Sequence, residues 1–175
     1  MGTIAYENLK ENFNISYYTD NDKKKWGKQL YGIPIIEPDR LKLLQFEYDI
    51  IITSQYDVAI TEQLIKMGIK RFGVYDADEN NIRYYEYDYL DNFTRKKNKI
   101  SLVVSNNSGS NTFALYKMIP KEISKKYDIV LVNENSKDNS YYLNLIESEM
   151  IVRTHDSFYN KEQKNVRLFH GFPFK

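Results

Sequence analysis

The stretch DIIITSQYDVAITEQLIKMGIKRFGVY, residues 49–75, decides the fold class. Asp49-Ile50-Ile51-Ile52-Thr53 is a continuous apolar run behind a charged segment, the composition of a strand buried inside a parallel sheet. Tyr56 to Met67 carries Ala59, Ile60, Leu64 and Met67 at helical spacing, and Gly68 suits a helix stop. Arg71-Phe72-Gly73-Val74-Tyr75 reads as the next strand. Strand, helix and strand at these intervals imply right-handed βαβ crossovers and a parallel sheet.

Toward the amino end, Ile4 to Asn12 reads as a short helix with Ile4, Ala5 and Leu9 on one side. Phe13 to Thr19 has strand composition and ends at Asp20, and Asp20-Asn21-Asp22 is a turn. Lys23 to Gly27 is a polar helical turn. Gly32-Ile33-Pro34-Ile35-Ile36 reads as a short strand, with Pro34 placing it at a sheet edge. Pro38-Asp39-Arg40-Leu41 opens a short helix with proline in its first turn. Toward the carboxyl end, Asp76 to Asn98 reads as a polar connector with one short helix over Tyr87 to Phe93.

The alternation then resumes. Lys99 to Val104 is a strand, Ser105 to Thr112 a polar loop, and Phe113 to Lys125 a helix whose pattern Pro120 interrupts. Tyr127 to Val132 is a strand, Ser140 to Glu149 a helix, and Met150 to Thr154 and Val166 to Phe169 are strands. The expectation is an α/β protein of two small Rossmann-like units with mostly parallel sheets, over residues 1–94 and 99–175. No residue-level repeat relates them. The chain opens on a helix where a Rossmann unit opens on a strand, and it stops soon after its last strand. It therefore reads as a piece of a longer protein.

Composition narrows the chemistry. The 175 residues are 42% hydrophobic, enough for a packed core. Charged residues make up 28% and nearly cancel to +1, without the basic excess of a nucleic-acid binder. Cysteine is absent, which removes disulfides, thiol catalysis and cysteine-based zinc sites. His155 and His170 are the two histidines, too few for a histidine-rich metal centre. No stretch approaches the ~18 apolar residues of a membrane span. Met1-Gly2-Thr3-Ile4-Ala5-Tyr6-Glu7 lacks the basic and apolar regions of a signal peptide, so a cytoplasmic protein without metal or cofactor is expected.

Four places could carry chemistry. A Rossmann unit sets an acid at the end of its second strand, ~20 residues past its glycine loop, to bind a ribose hydroxyl. Asp20 lies 18 positions after Gly2 and fits if Gly2 is that loop's last glycine. Gly2, Asp20 and Asn21 are thus either nucleotide contacts or parts of an ordinary turn. The loop Ser105 to Thr112 lies between a strand and a helix, where free N–H groups and the helix dipole favour an anion. There Ser108, Gly109 and Ser110 are candidate contacts to a phosphate or acceptor, although the lysine-bearing ending of a P-loop is missing. The alternative is a plain N-cap by Asn111 or Thr112. In Asn165-Val166-Arg167-Leu168-Phe169-His170-Gly171-Phe172-Pro173-Phe174-Lys175, a strand delivers His170 to its carboxyl end, where open α/β sheets bind ligands. Its pKa range suits a general base, and a structurally satisfied imidazole is the alternative. His155, beside Asp156, is either a histidine with a raised pKa or a structural one.

Two resemblances bear on these residues. Asp20-Asn21-Asp22, Lys25-Trp26-Gly27, Gly32-Ile33-Pro34-Ile35 and Asp49-Ile50-Ile51-Ile52-Thr53-Ser54 together resemble a small Rossmann-like module. That module precedes bacterial sugar O-acyltransferase domains and is fused to several polysaccharide enzymes; the likeness covers about residues 2 to 75. In that family a glycine-rich strand and loop comes first, of which Gly2 is what remains. The ending Phe169-His170-Gly171-Phe172-Pro173-Phe174-Lys175 resembles the Trp-His-Gly-x-Pro-Leu-Lys motif of CDP-glycerol glycerophosphotransferases, which build teichoic-acid chains. Phe169 and Phe174 depart from the motif but keep bulk and apolarity.

The second resemblance implies that residues 99–175 are the acceptor-side half of a GT-B-like catalytic region. It implies His170 as catalytic base, with Gly171 and Lys175 at the substrate. CDP-glycerol and a glycerol-phosphate or lipid-linked polysaccharide acceptor are the implied partners, with peripheral contact at the inner face of the plasma membrane. No donor-binding half follows Lys175, so the 175-residue chain by itself is expected to be inactive. The rival expectation is a non-catalytic nucleotide- or nucleotide-sugar-binding module built on Asp20.

Overall fold

The computed structural model describes residues 2–90, 94–105, 111–154, 160 and 162–168. It is an α/β fold with three small sheets, one of them all parallel. The chain divides into two compact units, Met1–Asp57 with Gln63–Asp91, and Val58–Glu62 with Asn92–Lys175.

The first unit runs α1 (Gly2–Leu9), β1 (Tyr18–Thr19), β2 (Gln29–Leu30), β3 (Ile33–Ile36), α2 (Leu41–Leu44), β4 (Ile51–Ile52), α3 (Asp57–Lys66, of which Val58–Glu62 belong to the second unit), β5 (Arg71–Asp76) and β6 (Asn81–Glu86). Its two three-stranded sheets have the orders β1-β3-β2 and β4-β5-β6. Each central strand has one parallel and one antiparallel neighbour. The βαβ crossover read from residues 49–75 is there: β4 and β5 pair in parallel, Ile51 opposite Gly73 and Ile52 opposite Val74, with α3 between them in the chain. Gly68 ends α3 as expected, with Ile69 N–H donating to the Leu64 carbonyl and Gly68 N–H to that of Ile65.

The second unit runs β7 (Lys96–Val104), α4 (Asn111–Lys117), α5 (Lys121–Lys126), β8 (Asp128–Asn133), α6 (Asn139–Glu147), β9 (Ser148–Arg153) and β10 (Lys164–Arg167). All four strands are parallel, in the order β10-β9-β7-β8. Its core joins Leu102, Val103 and Val104 of β7, Val132 of β8, Ile151 and Val152 of β9, and Tyr142, Leu145 and Ile146 of α6, all buried. Burial of each large apolar side chain contributes about 1.5–3 kcal/mol before chain entropy is charged against it.

Several expectations change. Phe13 to Tyr17 is not strand; β1 is confined to Tyr18–Thr19, because it meets β3 only at Ile35 and Ile36. The Pro34 strand is central in its sheet, not an edge. Ile35 exchanges bonds with Gly27 and Lys28, so strand alternation turns the Pro34 nitrogen away from β2. The β2–β3 turn is a two-residue one, Tyr31 (φ 53) and Gly32 (φ 76), whose positive angles match strand twist. Tyr31 is an unusual residue there, and its ring stacks on Tyr6 at 4.3 Å.

The expected helix from Tyr87 is absent through Leu90, and β6 fills what was read as connector. Tyr87 N–H instead donates to the Lys70 carbonyl, carrying on the β5–β6 pairing. The single helix over Phe113 to Lys125 is two helices, split where Pro120 caps α5. On α3, the buried residues are Val58, Thr61, Glu62, Leu64 and Ile65, while Ala59, Ile60 and Met67 are half-buried. Glu62 tolerates burial because Arg95 Nη2 donates to both its carboxylate oxygens, at 2.8 and 2.9 Å, and Asn160 Nδ2 donates as well.

Candidate functional site

In an open parallel sheet, ligands bind beyond the carboxyl ends of the strands, where successive connections leave to opposite sides. In the second unit that point lies between β7 and β9: the chain goes from β7 to β8 on one side, then to β9 and β10 on the other. The described residues at this rim are Ser105 after β7, Asn133 to Asn135 at the end of β8, and Thr154 after β9.

These residues are tied together. Glu134 N–H donates to the Val104 carbonyl, which keeps β8 in register with β7 to its last residue. Ser105 Oγ donates to Glu134 Oε1 at 2.5 Å, and Asn135 Nδ2 donates to the Ser105 carbonyl. Asn133 Oδ1 accepts from Asn135 N–H at 2.9 Å and fixes the turn that follows β8. Thr112 and Thr154 share a buried hydrogen bond, Oγ1 to Oγ1 at 2.7 Å, linking the start of α4 to the end of β9. The rim thus presents one half-buried carboxylate braced by hydroxyl and amide groups. It suits hydroxyl donors and disfavours a phosphate directly on the carboxylate.

The opposite end of this sheet is held by charge. Lys99, 5% exposed, donates from Nζ to Asn144 Oδ1 and to Glu147 Oε2, each at 2.8 Å, and Lys96 reaches the same Glu147 oxygen at 2.8 Å. Burial pushes the Glu147 carboxyl up, but the hydrogen bonds and charges of Lys96 and Lys99 outweigh it. They hold Glu147 below the usual carboxylate range.

Of the residues singled out from sequence, Asp20 lies directly after β1, and Gly2 is the first residue of α1. Asp20 Oδ1 accepts from Asp22 N–H at 2.8 Å, Oδ2 meets Lys25 Nζ at 2.6 Å, and its carbonyl accepts from Trp26 Nε1. Burial raises its carboxyl, and the bonds from Lys25 and Asp22 more than offset this and lower it. Asn21 exchanges two amide hydrogen bonds with Gln63, at 2.9 and 3.0 Å. Both side chains therefore brace a turn. Ser108, Gly109, Ser110, His155, His170, Gly171 and Lys175 lie outside the described residues. In the chain they belong to the segments that follow the carboxyl ends of β7, β9 and β10. Glu134 was missed.

Among the described residues, no group of three or more histidine, cysteine or acidic side chains could hold a metal ion. No helix among them is long and apolar enough to cross a membrane.

Residues 2–75 match a family model described as C2185-like, N-terminal. The match runs from α1 to Tyr75 in β5, so the first unit is similar to that family over most of its length. No curated protein and no solved structure matches the chain.

Proposed function

We propose that the second unit is the acceptor-side part of a CDP-glycerol glycerophosphotransferase, with His170 as its general base. The observation that supports this reading is the all-parallel sheet in the order β10-β9-β7-β8. Its strand β10 ends at Arg167, three positions before His170 in the motif His170-Gly171-Phe172-Pro173-Phe174-Lys175. An open sheet of this kind takes its ligands at that end of its strands.

In this reading a hydroxyl at the end of a glycerol-phosphate or lipid-linked acceptor attacks the glycerol-bearing phosphorus of CDP-glycerol. His170 takes the hydroxyl proton as the new P–O bond forms. The bond to the cytidine-bearing phosphate breaks, and CMP leaves with that electron pair. Positioning supplies much of the acceleration, because the protein has to align acceptor oxygen and phosphorus rather than form a bond to either. The acceptor brings the enzyme to the inner face of the plasma membrane.

CMP release from CDP-glycerol in the presence of a glycerol-phosphate acceptor tests this, using the whole natural polypeptide that carries these residues. His170→Ala should lower the rate by about 10²–10⁴-fold, the usual contribution of a positioned base. An unchanged rate removes His170 from the mechanism.

A second reading, a nucleotide-binding module in the first unit, draws on the place of Asp20 at the end of β1. Its carboxylate oxygens already meet Asp22 N–H and Lys25, so a ribose hydroxyl has to displace one of them. A thermal shift with a UDP-sugar or NAD that is lost in Asp20→Ala favours this module; no shift with either removes it.

A further inference from the structure

We propose that the outer face of α4 and α5 in the second unit docks on an anionic lipid surface. The inference goes beyond the transferase reading, which brings the enzyme to a membrane but assigns no surface to the contact. It uses neither His170 nor the motif around it.

Helix α4 is apolar on the side where a helix covering a sheet is ordinarily polar. Its inward side is marked by Thr112, fully buried, and Phe113, half-buried. Ala114, Leu115 and Met118 share the opposite side, at spacings of three and four positions. The helical turn carries on through Met118, whose N–H donates to the carbonyls of Ala114 and Leu115. All three side chains are exposed, Leu115 by 40% and Met118 by 79%. In α5, Ile123 is 41% exposed. Aliphatic groups gathered on one outer face gain by leaving water.

Charge selects what covers them. Residues 111–127 carry Lys117, Lys121, Lys125 and Lys126 against Glu122 alone, whereas the whole chain nets only +1. All four lysines are exposed, and none forms an ion pair among the described residues. Lys117 and Lys126 rest over the rings of Phe113 and Tyr127, at 5.3 and 5.2 Å, so their charges stay beside apolar surface. An aliphatic centre with a lysine margin matches a membrane interface: anionic headgroups meet the ammonium groups, and the aliphatic side chains enter the acyl boundary. A protein partner matches it less well, because such interfaces are poor in lysine and rich in arginine, and every cation here is lysine. The patch also adjoins the ligand rim, since Thr112 in the first turn of α4 is bonded to Thr154 after β9.

Co-sedimentation of the 175-residue chain with vesicles tests the proposal. One set of vesicles is phosphatidylcholine alone; the other is phosphatidylcholine and phosphatidylglycerol in equal parts. The chain should bind the mixed vesicles saturably and the neutral ones about tenfold or more less tightly, with the difference shrinking as salt rises. Lys121→Gln combined with Lys125→Gln should weaken binding about 25-fold, at about fivefold for each lysine near such a surface. Met118→Asp, at a side chain the fold leaves outside, should weaken it as well. The proposal is overturned if the mixed vesicles do not bind the chain, if both sets bind it alike, or if the folded lysine variant binds as the native chain does. A lipid-free dimer that Met118→Asp abolishes would assign the face to a second copy and overturn it too. Should Met118→Asp not fold, the lysine variant decides the matter. Vesicle binding and CMP release are separate readouts, so this proposal and the transferase reading can fail independently.

Discussion

Lys99 is a charged residue whose placement depends on its neighbours. A buried ammonium is tolerated only when paired and hydrogen-bonded, and Glu147 and Asn144 supply both. The pairing fixes a sign for pH dependence. The folded-state pKa of Glu147 lies below its ordinary value, so its contribution to stability is complete above the ordinary glutamate range. It declines as pH falls below that range and is gone once pH passes the depressed folded value. Urea unfolding across this acid window should show the native chain losing more stability than Glu147→Gln, which has no such proton to take up. Parallel losses in the two proteins would contradict the assignment. Pairing likewise allows Glu62 inside beside Arg95, and this explains why helical periodicity misjudged α3. Sequence pattern scores an acid as solvent-facing, whereas a guanidinium that binds both carboxylate oxygens allows it inside.

Among the elements, β5 is tightly constrained. It is paired on both edges and buried from Phe72 to Tyr75. A Cβ built on Gly73 would lie 2.5 Å from Ile82 Cγ2 and 2.7 Å from Ile51 Cδ1. Gly73→Ala should therefore cost about 1–3 kcal/mol, the range for overpacking a filled site, read as a lower urea midpoint. A midpoint equal to the native one would mean that β4 and β6 separate more easily than their packing implies. The continuous apolar runs of β4, β5, β7, β8 and β9 were legible in the sequence because strands inside parallel sheets need them on both faces. Strand β6 was not legible. Asn81-Ile82-Arg83-Tyr84-Tyr85-Glu86 is a partly exposed edge strand without a strict alternation. Its turn is set by Asp76 Oδ1, which accepts from the N–H groups of Asp78 and Glu79. That closure depends on geometry that composition does not carry. The candidate site was half legible by the same measure: the strand ends that form the rim were read from their apolar runs, whereas Glu134 was not, because the acid rule applied to Asp20 belongs to a different strand order from β10-β9-β7-β8.

At the scale of the molecule, two α/β units share one chain, and the parallel sheet of the second is the one whose topology provides a ligand rim. The transferase account requires that an acceptor reach His170 just beyond β10. The chain has only two histidines, so its imidazole C–H resonances can be followed singly, and His170→Ala assigns them. The decisive measurement is an NMR titration of those resonances with glycerol 3-phosphate. The account predicts a saturable shift of the His170 signals with those of His155 unmoved. Saturation that leaves the His170 signals in place, or moves only those of His155, would contradict it.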